Sequence, residues 1–314
     1  MHPERLSLTI VIPVFNEEEC IDALFARLLG LRDRMRERAE LEFVFVDDGS
    51  TDASPAMLAA LAETGPFVKL ISFSRNFGHQ IAVTAGIDHA EGDWVAVIDA
   101  DLQDPPEAIA DMLEVALGGY DVVYGQRRSR KGETAFKKAS ANAFYRILSR
   151  LCDIDIPVDT GDFRIMSRRV VATMRKMRER HRFIRGMIPW IGFRSAPFAY
   201  DRDERFAGQT KYPLRKMLGF AANAILSFSA TPLAIATRLG LGAVALGLFG
   251  AAYMLYLKLF TTIPVPGVTS ILVTIVLFGG FQILLIGLVG EYVTRIFEEA
   301  KDRPLYVIAE TRNL

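Results

Sequence analysis

Residues 95–107, VAVIDADLQDPPE, run from an apolar segment into two carboxylates one residue apart, Asp99 and Asp101, followed by the Gln103 amide. In extended backbone, positions i and i+2 project to the same side, so these three side chains offer hard oxygen ligands in one direction. Such ligands suit Mg²⁺ or Mn²⁺, ions that commonly hold a substrate diphosphate. Pro105 and Pro106 then stop the strand. Asp is also common wherever strands end, so the metal reading depends on what the rest of the chain brings to the same place.

The elements that must position this segment alternate along residues 5–125. Strand patterns at 6–14, 41–46, 68–73, 94–98 and 121–125 are separated by helical patterns at 17–38, 53–63, 79–89 and 106–117. Repeated βα units imply an α/β fold, a mostly parallel sheet with helices on both faces. Ligands of such sheets bind beyond the carboxyl ends of the strands. The polar clusters lie at those ends: 13–17, 47–52, 74–79 and 99–103. No GxGxxG follows the first strand and no GxxxxGK[ST] occurs, which disfavours a Rossmann dinucleotide site or a P-loop. The segment 126–138, QRRSRKGETAFKK, is strongly basic, either a solvated loop or an anion site. Beyond it, residues 135–151 read as an amphipathic helix, and Asp159 and Asp162 flank a glycine.

Lys plus Arg equals Asp plus Glu at 37 each over 314 residues, a balance that points to no nucleic acid or other polyanionic partner. The average hides two uncharged stretches, 239–257 and 259–290. About 20 apolar residues carry a helix across a bilayer core. Spanning helices are therefore expected over 238–260 and 268–292, joined by the turn TTIPVPG. Lys211, Arg215, Lys216 and Arg238 precede the first helix and Arg295, Lys301 and Arg303 follow the second. This bias places both termini in the cytoplasm, with Lys258 mildly against it. No signal-peptide pattern opens the chain, and Cys20 and Cys152 lack ligand spacing. Residues 214–229 are amphipathic enough to lie in a membrane interface.

Taken in order, PVFNEE, VDDGSTD, FSRNFGHQ, IDADLQDPPE, DTGDFRIM, RFIRG and FAGQTKY, then the helical hairpin and GEYVTRIFEEAKDRPLYVI, resemble the polyprenyl-phosphate glycosyltransferases. That family includes dolichol-phosphate mannose synthase and the bacterial bactoprenol glucosyltransferases, and the hairpin and tail look closer to the latter. The resemblance implies a Rossmann-like GT-A domain over 1–210, amphipathic juxtamembrane helices over 211–237, transmembrane helices over 238–293 and a cytoplasmic tail over 294–314. It implies an inverting, metal-dependent transfer of one sugar from a nucleotide-sugar, UDP-glucose first, to polyprenyl (undecaprenyl) phosphate at the cytoplasmic face of the inner membrane. UDP-pentose and GDP-mannose are the alternative donors. Where Ala207 stands, the mannose synthases tend to carry arginine, which favours a non-mannose donor.

By the same resemblance, Pro13, Phe15, Glu17 and Asp48 line the nucleotide pocket, with Asp48 on the base and Arg75 near base or ribose. Asp99 approaches ribose and metal, and Asp101 and Gln103 ligate Mg²⁺ or Mn²⁺. Arg127 with Lys137 or Lys138 meets the acceptor phosphate. Arg205 and Lys211 close on the diphosphate. Asp162 acts as base or organiser. A phosphate nucleophile is already ionised at neutral pH, so positioning matters more than a strong base; the lesser alternative makes Asp162 a structural partner of Arg164 or Arg168. His79 reads as a satisfied helix-start histidine, and Glu291 as either snorkelling or pairing with Arg295. Glycines at 240, 242, 247, 250, 279 and 280 permit close helix packing and a homo-oligomer such as a tetramer. A processive polysaccharide synthase is disfavoured by the absence of QxxRW, and a transporter by spanning helices nearly free of polar residues. A membrane-anchored nucleotide-sugar binding protein without turnover is the rival from another class.

Overall fold

The computed structural model describes residues 5–128, 160–201, 231–260 and 267–314. In chain order the first elements are β1 (Leu6–Val14), α1 (Ile21–Met35), β2 (Ala39–Asp47), α2 (Ser54–Ala62), β3 (Val68–Phe73) and α3 (His79–His89). They are followed by β4 (Trp94–Val97), α4 (Ala108–Leu117), β5 (Val122–Arg127), β6 (Thr160–Ser167), α5 (Arg168–Lys176), α6 (Ile184–Ile191) and β7 (Ser195–Tyr200). The last are α7 (Thr231–Phe260), α8 (Val268–Ala300) and β8 (Ile308–Arg312).

The strands form one sheet in the order β7-β5-β6-β4-β1-β2-β3-β8. Strand β1 sits in the middle, parallel to both β2 and β4. Its LSLTIVIPV sequence is apolar on both faces because helices cover both. On one face, Leu24 and Leu28 of α1, Leu58 of α2 and Ile109 and Leu113 of α4 pack with Ile10, Ile12 and Phe43. On the other, Ala82 and Val83 of α3, Val170 of α5 and Met187 of α6 pack with Val11, Val44 and Val97.

The expected α/β sheet is present, with two reversals. Strand β6 runs antiparallel to both β4 and β5, and β8 runs antiparallel to β3. Reversal of β6 has a chemical consequence: its first residues lie where β4 and β5 end. Val97 pairs with Arg164, so Asp99 and Asp162 leave the sheet at the same place.

Helices α7 and α8 are longer than the apolar patterns suggested, and the stretches Thr231–Leu257 and Thr274–Ala300 are long and apolar enough to cross a membrane. Their large side chains are exposed, with Phe249 at 74% and Ile283 at 72%. Glu291 meets Arg295 at 3.7 Å, as the spacing predicts. The last turns of α8 touch the α/β domain: Glu298 lies 2.7 Å from His181 Nε2, and the Arg180 amide donates to Glu299 at 2.7 Å. Residues 294–314, read from sequence as a tail, thus contribute the end of α8 and strand β8. Tyr306 stacks on Phe73 at 5.2 Å, and the Asn313 amide donates to the carbonyls of Ala62 and Val68. The juxtamembrane segment before residue 231 lies outside the described residues.

Candidate active site

Four loops meet at the carboxyl ends of β1 to β4. Those after β1 and β2 are stitched by polar side chains. The Asn16 amide donates to Ser50 Oγ at 3.0 Å, Asn16 Oδ1 accepts from the Thr51 amide at 2.8 Å, and Ser54 Oγ accepts from the Glu17 amide at 3.0 Å. Asp47 supports its own turn by accepting from the Ser50 amide at 2.9 Å. Gly49, at φ 69°, is held against the next loop so closely that a Cβ would lie 2.5 Å from the Arg75 carbonyl carbon. No side chain fits there. Asp48 is buried and accepts from the amides of Phe77 at 2.7 Å and Gly78 at 2.9 Å. Burial raises its pKa more than those amides lower it. Asp48, expected on the base, thus ties the end of β2 to the 74–79 loop. Around it, Pro13 is buried, Glu17 is half-buried and Phe15 is exposed. The Arg75 guanidinium covers the Phe77 ring at 3.9 Å.

The 99–103 segment leaves β4 as a turn. Leu102 takes φ 59°, uncommon for a side-chain-bearing residue. Asp101, buried, accepts from the backbone N–H of Gln103 at 3.2 Å. Asp99 Oδ1 is buried and has no hydrogen-bond partner among the described residues, and His79 Nε2 stands 3.6 Å away. Burial is the largest influence on Asp99. It outweighs His79, and with Asp162, Asp104 and Asp101 it pushes the carboxyl up to about 6. An orphaned oxygen among carboxylates fits a cation. Among the described residues no group of three or more His, Cys, Asp or Glu side chains is placed to hold a metal.

Asp162, 3% exposed, is the opposite case. Arg185 donates to both its oxygens at 3.0 Å, His79 Nε2 lies 3.1 Å away, Gln80 donates at 3.2 Å and Arg164 at 3.4 Å. Burial alone would raise its pKa; Arg185, His79 and Arg164 outweigh burial and hold it well below the usual carboxylate range. Burial brings the Arg164 guanidinium down to about 10, still protonated at neutral pH. For His79 burial works downward, but the Asp162 hydrogen bond and the Asp99 charge push it up to about 9.

Of the sequence-predicted partners of Asp162, Arg164 is confirmed, whereas Arg168 instead faces Asp93 at 3.9 Å. His79 does begin α3, but its ring bridges two carboxylates of the crevice. Arg185 and Gln80 were not singled out from sequence; the motifs RFIRG and FGHQ were the available signals. Arg127 ends β5 beside Gly161. Lys137, Lys138, Arg205 and Lys211 lie outside the described residues.

Residues 9–175 match the family model described as glycosyl transferase family 2. A Bacillus subtilis (strain 168) protein named "Uncharacterized glycosyltransferase YkcC" is 49% identical, aligned over 98% of this chain and 94% of its own. A Synechocystis protein named "Uncharacterized glycosyltransferase sll0501" is 42% identical, over 97% of this chain and 95% of its own. A Shigella flexneri protein named "SfII prophage-derived bactoprenol glucosyl transferase" is 38% identical, over 98% of both chains.

Proposed function

This chain belongs to glycosyl transferase family 2, and from that premise we propose that it moves one glucose, with inversion, from UDP-glucose to the phosphate of a polyprenyl carrier such as undecaprenyl phosphate. The observation that carries this reading is a pairing on one chain. A carboxylate turn with an orphaned oxygen calls for a cation and a diphosphate, and two exposed apolar helices of spanning length call for a lipid acceptor. The name of the Shigella relative, a bactoprenol glucosyl transferase, supports the same combination.

Asp99, Asp101 and Gln103 would hold Mg²⁺ or Mn²⁺ in the GT-A domain. Such an ion takes up negative charge that develops on a leaving diphosphate. Pro13, Phe15, Glu17, Asp48 and Arg75 surround the nucleotide, and Arg205 and Lys211 serve the diphosphate. Arg127, with Lys137 and Lys138, receives the acceptor phosphate. That nucleophile is ionised at neutral pH and needs placement more than deprotonation. A general base works best with a pKa near the operating pH, and Asp162 is held far below it. Asp162 therefore anchors Arg185, Arg164 and His79 in the crevice. Helices α7 and α8 cross the inner membrane with both ends cytoplasmic. The Lys and Arg bias supports this, as do the contacts of Glu298 and Glu299 with His181 and Arg180.

Full-length protein in detergent, given undecaprenyl phosphate, UDP-glucose and Mn²⁺, should yield a product of the mass of undecaprenyl phosphoglucose, and none after chelation by EDTA. Product only from a UDP-pentose or GDP-mannose would reassign the donor. Nucleotide-sugar binding without product, metal present, would make the chain a membrane-anchored binding protein.

A further inference from the structure

Tyr200 ends β7 and is buried. Its ring meets Phe163 edge-on at 5.3 Å. Gly125 makes room for it, since a Cβ there would stand 2.7 Å from the Tyr200 ring and 2.8 Å from Phe163. The phenol donates to Asp104 Oδ1. Asp104 is 0% exposed and directly follows Gln103 on the carboxylate turn.

Across the parallel β5–β7 pair, Arg127 is the register partner of Tyr200, and the Arg128 amide donates to the Tyr200 carbonyl at 3.0 Å. The Arg127 guanidinium lies beside the phenol oxygen, and its Nε is buried with no hydrogen-bond partner among the described residues. Its Nη2 lies 3.2 Å from where a Cβ of Gly161 would stand, next to Asp162. One hydroxyl thus stands between the arginine and the buried carboxylate to which it donates. Burial and Asp104 raise the phenol's pKa, so it stays neutral.

We propose that Tyr200 is a positioning residue for the acceptor phosphate: it fixes the Arg127 guanidinium against the turn that carries Asp99, Asp101 and Gln103. A neutral hydroxyl orients an arginine without pairing away its charge. Arg185, clamped on Asp162 by two bonds, shows the contrasting arrangement. Because Asp104 belongs to the carboxylate turn, the same chain of bonds sets the spacing between the donor diphosphate and the incoming phosphate. The inference rests on the reading of Arg127 as an acceptor ligand.

The test uses full-length protein and the Tyr200→Phe variant, which keeps the ring and removes only the hydroxyl. The acceptor KM should rise about tenfold, the worth of a hydrogen bond to a charged group, while the UDP-glucose KM stays at its wild-type value. Native mass spectrometry of undecaprenyl phosphate binding without donor should show the same weakening. Adding Tyr200→Phe to Arg127→Ala should cost nothing further, because the two act as one unit. A wild-type acceptor KM in Tyr200→Phe beside a defective Arg127→Ala would overturn the role of Tyr200 alone, as would an equal rise in both KM values. A wild-type acceptor KM in Arg127→Ala overturns the reading of Arg127, and this inference with it.

Discussion

Asp99 and Asp162 leave neighbouring strands at the same end of the sheet, yet they live in opposite electrostatic circumstances. At the start of β6, Asp162 receives Arg185, His79, Gln80 and Arg164. At the end of β4, Asp99 keeps a buried oxygen with no hydrogen-bond partner among the described residues, and other carboxylates crowd it. A buried carboxylate is stable only with compensating charge or hydrogen bonds. Asp162 finds that compensation within the fold and so belongs to the architecture of the crevice. Asp99 has only His79, 3.6 Å from that oxygen, and burial with the neighbouring carboxylates outweighs it.

The largest expected effect falls on the uncompensated side. Asp101→Asn should lower metal-dependent turnover about a thousandfold, the kinetic equivalent of several kcal/mol of charge stabilisation, with the melting temperature unchanged. Retained turnover would remove Asp101 as a ligand. On the compensated side, Asp162→Asn strands Arg164 and Arg185 and should cost about 3 kcal/mol of stability, as breaking buried ion pairs does. Denaturant unfolding in detergent measures this. Unchanged stability with turnover lost would make Asp162 a chemical group and collapse the contrast.

The smallest effect is a pH dependence that separates the two sides. His79, raised from 6.5 to about 9, contributes stability that is complete below pH 6.5 and lost as pH rises through about 9. Asp162, lowered, contributes stability that is complete above its ordinary 3.8 and lost as pH falls below it. In EDTA, His79→Gln should flatten the alkaline decline in melting temperature and leave an acid decline in place. An unchanged alkaline limb would show that the bridging geometry does not matter to stability.

Much of the fold was legible because local periodicity and burial agree: β1 is apolar on both faces and α1 repeats its buried residues at helical spacing. The convergence of the clusters at 13–17, 47–52, 74–79 and 99–103 followed from the rule for strand ends. Strand β6 was not legible, since TGDFRIMS buries the charged Asp162 and Arg164 among its apolar residues and only its neighbours make it a strand and orient it. Nor was β8, whose IAETR is mostly exposed and is a strand only because β3 offers an open edge. The partners of Asp162 escaped for a similar reason: His79 is 83 residues away and Arg185 is 23. Identical spacing arguments therefore proposed Arg168, which folds elsewhere.

By itself the sequence determined the run of oxygen-bearing side chains at the end of β4, the order of the βα units and two apolar segments of spanning length, because each is a property of residues near one another in the chain. Which carboxylate is paired on every side and which keeps an oxygen without a hydrogen-bond partner among the described residues was decided only by the tertiary structure. Ion pairing acts over a few ångströms of space, and the reversed β6 strand, the start of α3 and the start of α6 come within that range only in the folded molecule.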